Sequence, residues 1–160
     1  MNSTKDLLLY ESGSGGELFL ENNDLALTES LYQTIYVSLF GGNVEASTVG
    51  NELVGEERSD YWANSLLFKN EKNKQLNSRT ERTLNEVTIN SSGRLKIKSA
   101  VEEDLIFLKK LANLEINIVI LGVDKIEIEI IMTSIQNQSN KTFQFIWDNA
   151  KREIILDKQI

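Results

Sequence analysis

The strongest constraint on the fold is a change to two-residue periodicity in the last third of the chain. Isoleucines recur at every second position from Ile116 to Ile120, and after a turn at 122–125 apolar residues alternate again from Ile126 to Met132. This period places apolar side chains on one face of a strand, so the pattern predicts a β-hairpin. Alternating aromatic residues at 143–147 and a short strand at 154–156 follow. We therefore predict an antiparallel C-terminal meander over 113–160 with one buried face.

The first 27 residues have the pattern of three short strands, at 6–10, 17–20 and 25–27, with a turn at Asn22-Asn23. Thr28 is a candidate N-cap for a first helix, because its hydroxyl can accept a hydrogen bond from a first-turn amide. Apolar residues cover about half of that helix, and Gly41-Gly42 is predicted to end it. A long loop over 43–75 follows, because no period is sustained there.

Two further helices and one strand are predicted in the middle of the chain. The second helix covers 76–87, and Leu95 and Ile97 alternate with basic residues in a predicted strand over 94–98. Ser99 and Glu102 have the spacing of a capping box, which predicts a third helix starting there. Ile106 and Phe107 lie off the apolar stripe of this helix, which predicts that it is covered on more than one side. We include both among the candidate interface residues.

These patterns together predict an α+β fold in a single domain over 1–160, with an antiparallel or mixed sheet and two to three helices. The N-terminal strands occupy 1–27, the helices and long loop occupy 28–112, and the β-meander occupies 113–160. No internal repeat or linker divides the chain, and proline is absent. Its length suits one compact domain.

Composition and charge narrow the classes of function. The chain has no cysteine and no histidine, which excludes a disulfide scaffold and removes the commonest catalytic base and metal ligand. The formal net charge of −7 has the wrong sign for a nucleic-acid binder. Residues 1–60 hold 11 acidic and 2 basic side chains, whereas 61–113 hold 6 and 10. This asymmetry suits docking to other proteins, and we expect no nucleic acid, cofactor or metal.

Neither a membrane span nor a secretory signal is predicted. No stretch approaches the ~20 consecutive apolar residues of a transmembrane helix, and the apolar run at 7–10 is too short for a signal peptide. We therefore expect the protein to be made and assembled in the cytoplasm.

The long loop contains the one dense group of carboxylates in the sequence. A glycosidase needs two carboxylates in distinct environments, and Glu56 or Glu57 with Asp60 would supply them. The same three groups would suit a hard metal ion, although their spacing matches no calcium loop. Tyr61 and Trp62 close the loop, either as core residues or as interface anchors. The other acidic residues of the group are Glu45 and Glu52.

The order of several motifs carries a family resemblance. Asp-Leu pairs start strands at Asp6 and Asp24, an apolar helix over 31–40 ends in Gly41-Gly42, and the loop closes on the segment Asp-Tyr-Trp-Ala-Asn-Ser-Leu-Leu at 60–67. Helices at 79–87 and 104–111 and the hairpin at 116–132 follow. In this order the chain resembles the baseplate wedge proteins of contractile phage tails, which are related to the sheath-initiator, lysozyme-like wedge proteins.

One motif distinguishes the branches of that family. The sheath-initiator branch carries Glu-Pro-Arg in the central helix region, where this chain has Arg79-Thr-Glu81-Arg82. The chain therefore resembles the Mu-like baseplate branch more closely. By their place in the family order, Arg79, Glu81 and Arg82 are candidate contacts to the neighbouring wedge protein.

The resemblance implies a structural role without catalysis, in the virion. Such proteins stand as a six-fold set around the tail tube and bind other wedge subunits, the tail sheath and tube or hub proteins, after late assembly in the host cytoplasm. Strand addition to the strands at 115–132 and 142–156 would then help to nucleate the sheath. Two alternatives stay open: a cell-wall hydrolase using the loop carboxylates, and an adaptor of the same fold in a non-contractile tail or secretion apparatus.

Overall fold

A computed structural model describes residues 4–11, 16–42, 68, 70–71, 77–136 and 138–159 of the 160-residue chain. The fold is α+β, as predicted, and ends in an antiparallel C-terminal sheet. The chain groups into two compact units, Met1–Glu81 and Arg82–Ile160.

The helices among the described residues are α1 (Ser30–Phe40), α2 (Arg79–Glu86), α3 (Ser91–Asp104) and a 3₁₀ segment (Ile106–Lys110). The strands are β1 (Lys5–Leu7), β2 (Leu9–Glu11), β3 (Gly16–Leu18), β4 (Leu20–Glu21), β5 (Asp24–Leu25), β6 (Leu27–Glu29), β7 (Ala112–Ile120), β8 (Lys125–Ser134), β9 (Asn140–Asp148) and β10 (Glu153–Gln159).

The N-terminal strands form three two-stranded antiparallel ribbons, β1–β6, β2–β3 and β4–β5. The ribbons meet where the amide of Leu8 donates to Ala26 (2.9 Å), that of Ala26 donates to Phe19 (2.9 Å), and that of Phe19 donates back to Leu8 (3.2 Å). Each of the three predicted strands breaks at one of these residues, so six short strands replace three. Asn22 and Asn23 form the predicted turn with φ of 53° and 64°, which suits a tight hairpin.

The first helix begins one residue later than predicted. Thr28 lies in β6, paired with Asp6, so it does not cap α1; the residue before the helix is Glu29, which makes no side-chain cap hydrogen bond. The prediction failed because Thr28 completes a ribbon instead. Gly42 ends the helix region as predicted, with φ of 106°. The buried side of α1 consists of Tyr32, Gln33, Ile35, Tyr36, Leu39 and Phe40.

The second unit corrects the prediction of a strand over 94–98. These residues lie inside α3, which begins after Asn90, whose side chain accepts a hydrogen bond from the Gly93 amide at 2.8 Å. Ile97 is fully buried but Leu95 is 62% exposed, so the two do not share a face. Ser99 is consequently in the middle of the helix, and the predicted capping box with Glu102 is wrong.

The C-terminal sheet confirms the predicted meander. Its strand order is β10-β9-β8-β7, antiparallel throughout. Ile130 of β8 lies opposite Ile116 on one side and Phe143 on the other, and all three side chains are buried. The same face continues through Ile128, Phe145 and the other alternating apolar residues. Helix α3 and the 3₁₀ segment contact β7.

Candidate interaction surfaces

Seven of the residues singled out from the sequence lie outside the described part of the chain. They are the loop carboxylates and the two aromatic residues that follow them: Glu45, Glu52, Glu56, Glu57, Asp60, Tyr61 and Trp62. The roles predicted for them stay predictions. The other candidate interface residues, in α2 and the 3₁₀ segment, are described.

Glu81 is buried and bonded to the chain that leaves α1. Its Oε2 accepts a hydrogen bond from the Gly42 amide at 3.1 Å, while the amide of Ser78 donates to the Gly42 carbonyl at 2.8 Å. The Ser78 hydroxyl accepts from the Glu81 amide at 3.0 Å and donates to the Leu39 carbonyl. Ser78 therefore caps α2, and both residues tie its first turn to the end of α1.

The sequence contains a signal for this arrangement. Ser78 and Glu81 have the Ser-x-x-Glu spacing of a capping box. In the usual box the glutamate reaches back to the amide of the capping serine, but here it binds the Gly42 amide instead. Of its neighbours, Arg79 is exposed and Arg82 is half-buried, and each has a partner. The three wedge-contact candidates thus differ in accessibility, with Arg79 the most exposed.

Gln33 is a polar residue whose role the sequence did not indicate. It lies on the buried side of α1 with 3% of its surface exposed. Its Oε1 accepts a hydrogen bond from the Leu9 amide at 3.0 Å, and its Nε2 donates to the Leu9 carbonyl at 3.2 Å. The side-chain amide therefore pairs with β2 as a neighbouring strand would, and it holds the ribbons on α1.

The ribbons expose several large apolar side chains to solvent. We call Leu18, Phe19, Leu20, Leu25 and Leu27 the ribbon surface; each is at least 40% exposed, and Leu20 reaches 67%. Leu20 and Leu25 are cross-strand neighbours in the β4–β5 ribbon. The acidic side chains of the same ribbons, Glu17, Glu21 and Asp24, are exposed as well. The first unit thus presents apolar groups among carboxylates.

A tyrosine beside this surface responds to one of those carboxylates. The Tyr10 hydroxyl donates to Glu17 Oε2 at 3.2 Å, and the Tyr10 and Phe19 rings pack edge to face at 5.8 Å between centroids. The hydrogen bond to Glu17, followed by desolvation and the charge of Glu17, raises the pKa of Tyr10 above its ordinary value. Tyr10 is therefore a spectroscopic reporter of this part of the ribbons.

The second unit has an apolar surface at the start of β7. Ile106 and Phe107 belong to the 3₁₀ segment and are 62% and 42% exposed. The prediction that the helix carrying them is covered on more than one side is therefore wrong. The helix ends at Asp104, and the 3₁₀ turn directs both side chains outward. Leu111 and Ile135 are also exposed and adjacent, since the Ile135 amide donates to the Leu111 carbonyl at 3.2 Å. We call these four residues the shelf.

The described residues give no group of three or more acidic side chains placed to hold a metal ion. None of the helices in that part of the chain has the length and apolar character that a membrane crossing requires. Comparison of the chain with protein-family models, with curated proteins and with solved structures gives no match.

Proposed function

We propose that the protein is a structural, non-enzymatic component of the baseplate wedge of a contractile phage tail, where it binds neighbouring wedge subunits and helps to nucleate the sheath. The observation that carries this proposal is the ribbon surface, whose five large apolar side chains are exposed to solvent. Several large apolar side chains exposed in one part of a protein are typical of surfaces that bind another protein. The motif order of the wedge family supports the choice of partner.

The length of the ribbons strengthens the case for a partner. Each strand has only two or three residues, and two-stranded ribbons of this size are marginal in water by themselves. The hydrogen bonds joining Leu8, Phe19 and Ala26, together with Gln33, fix the backbone but leave the leucines in solvent. Covering them would contribute roughly 25 cal/mol for each Å² of apolar surface removed from water. Such ribbons are expected in a subunit whose exposed leucines are covered by a neighbouring subunit.

The charge of the surface indicates the kind of neighbour. Glu17, Glu21 and Asp24 surround the apolar side chains in sequence and are exposed. A complementary partner would present an apolar centre bordered by lysine or arginine, because matched charges set orientation and speed encounter. We infer that the contacting wedge subunit has such a basic border.

Co-purification with the products of the adjacent tail genes tests the proposal. Leu20→Glu combined with Leu27→Glu should abolish capture of a wedge partner, because it introduces carboxylates into an apolar contact. Leu95→Glu is the matched control: it changes an equally exposed leucine in the second unit and should leave capture unchanged. Circular dichroism checks that both variants fold. Full capture by the ribbon variant would contradict the proposal.

A turbidity assay on cell walls addresses catalysis directly. The proposed structural role predicts no clearing by the purified protein. Clearing that disappears in Glu57→Gln would show a hydrolase and overturn the non-enzymatic assignment.

A further inference from the structure

Strand β7 is the outermost strand of the C-terminal sheet, and its far edge has no strand partner among the described residues. The Leu121 amide donates to the Lys125 carbonyl at 2.9 Å, and the Ile135 amide donates to the Leu111 carbonyl at 3.2 Å. On the β7 side these bonds use Leu121 and Leu111, the odd-numbered residues that directly flank the strand. Because hydrogen-bonded positions alternate along an antiparallel pair, the odd-numbered residues of β7 bond to β8. The N–H and C=O groups of the even-numbered residues therefore point to the open edge.

Exposed apolar side chains stand at both ends of this edge. At its start is the shelf, which includes Leu111 and Ile135. At its end is the tip of the β7–β8 hairpin, where Val123 is 87% exposed. We define the tip by its four exposed apolar residues: Val119, Ile120, Leu121 and Val123. An open strand edge between two apolar groups is a surface that needs a partner, since unpaired edges template association.

We propose that β7 pairs with β7 of a second copy of this chain, antiparallel about a two-fold axis at Ile116. In this register Leu114 of one copy lies opposite Ile118 of the other, and Ile116 lies opposite its equivalent. These even-numbered residues have their hydrogen-bonding groups directed at the open edge, as the pairing requires. The two four-stranded sheets then form one continuous sheet with up to about ten new backbone hydrogen bonds.

The exposed apolar groups support this register in particular. Residues whose numbers sum to 232 face each other, so Leu121 of the tip lies opposite Leu111 of the shelf at both ends of the interface. A shift of the axis to residue 114 would set Leu111 against Asn117, and a shift to residue 118 would set Leu121 against Glu115. Of these registers, the one centred on Ile116 matches leucine with leucine, at both ends of the strand.

The charges are compatible with self-association of this unit. Glu115 faces Asn117 of the other copy rather than a second Glu115, so no like charges meet across the two strands. Arg82–Ile160 contains eleven basic and eleven acidic residues, so two copies of the unit have no net repulsion. Such an isologous contact uses the same surface on both copies, so the assembly it forms is a dimer.

Disulfide trapping tests the register. The chain has no cysteine of its own, so single substitutions give defined thiols. Glu115→Cys mixed with Asn117→Cys should form a disulfide-linked dimer under mild oxidation, because facing non-hydrogen-bonded residues have Cα atoms about 4.5 Å apart. Either variant alone should give no linked dimer, because the two equivalent cysteines do not face each other. Linked dimers from the single variants, or none from the mixture, would overturn the register.

Sedimentation of the purified full chain tests the dimer itself. We expect a dimer for the wild type. Leu111→Glu and Leu121→Lys should each raise the dissociation constant of the dimer by about tenfold or more, because each places a charge opposite a leucine of the other copy. Mixing these two variants should restore dimers, since glutamate then faces lysine and leucine faces leucine. Leu95→Glu is the control and should dimerise as the wild type does.

A monomeric wild type across micromolar concentrations would overturn the inference and leave the edge to a strand of another protein. Failure of the mixed variants to associate would overturn it as well. These measurements use this chain alone, so their outcome is separate from capture of a wedge partner through the ribbon surface.

Discussion

Gln33 offers the sharpest test of how the ribbons are held on α1. Its side-chain amide accepts from the Leu9 amide at 3.0 Å and donates to the Leu9 carbonyl at 3.2 Å, in a site that is 3% exposed. Gln33→Glu preserves the shape and keeps the acceptor. It replaces the donor with a carboxylate oxygen that faces the carbonyl oxygen of Leu9. Gln33→Leu removes both hydrogen bonds without adding charge.

The expected losses follow from the bonds removed. A net intramolecular hydrogen bond is worth about 1 kcal/mol, so Gln33→Leu should lower the free energy of unfolding by about 2 kcal/mol. Gln33→Glu loses one bond and buries an unmatched negative charge, so its loss at neutral pH should reach about 3 kcal/mol. The glutamate variant is therefore the less stable of the two near neutrality, although it is the closer in shape.

The pH dependence of the free energy of unfolding distinguishes the burial of a charge in Gln33→Glu from the simple loss of hydrogen bonds in Gln33→Leu. A protonated carboxyl can donate to the Leu9 carbonyl, so folding favours the protonated form and raises the pKa of the introduced group above its unfolded value of about 4.3. The stability of Gln33→Glu is thus recovered below about pH 4.3 and is lost as pH rises through the raised folded pKa. Gln33→Leu should show no such trend relative to the wild type.

Urea unfolding followed by circular dichroism at about pH 4 and about pH 7.5 measures these differences, each variant against the wild type at the same pH. We expect the deficit of Gln33→Glu to shrink at the lower pH and that of Gln33→Leu to stay constant. An equal deficit of Gln33→Glu at both values would refute the paired hydrogen bonds as the cause.

Two further predictions concern single contacts. Gly93→Ala should lower the free energy of unfolding by about 1–3 kcal/mol, because a Cβ at this position would collide with the Thr88 carbonyl oxygen. Thermal unfolding measures this loss. Ser92→Ala, at the neighbouring exposed position, is the control. Glu17→Gln should bring the pKa of Tyr10 back toward 10, because the charged acceptor of its hydroxyl is removed. Alkaline titration of tyrosine absorbance should then show one tyrosine of the variant ionising at lower pH than in the wild type. An unchanged titration curve would contradict the assignment.

The C-terminal sheet could be predicted because its signal is long. Apolar side chains recur with period two through two strands and continue into a third, so the buried face and the pairing order follow from the pattern. The alternation at 94–98 spans only five residues and does not distinguish a strand from a helix. Ile97 instead belongs to a helical stripe of buried residues that begins before Ser99. The stripe continues through Val101, Leu105 and Leu108. The capping box at Ser99 was therefore placed inside a helix that continues upstream.

The connections that hold the first unit together had no comparable signal. Gln33 binds Leu9, 24 residues away, and nothing in the apolar stripe of α1 indicates which distant amide needs a partner. The ring of hydrogen bonds through Leu8, Phe19 and Ala26 likewise joins residues that no turn motif marks. Local patterns specify a strand, but a three-way junction depends on which strands find each other. The Asn22-Asn23 turn was predictable because its left-handed backbone favours asparagine.

The interaction surfaces follow from the points where pattern and burial disagree. Ile118 and Ile120 share one face of β7, yet Ile118 is buried and Ile120 is 37% exposed, so the cover of this face ends before the hairpin tip. Leu27 and Phe107 are likewise apolar residues for which the described chain provides no cover. A consistent fold places such residues inside, so the exceptions mark positions where the sequence satisfies a second requirement. In this chain most of those exceptions lie on the ribbons and at the two ends of β7, and we propose association with other subunits as the requirement that accounts for both.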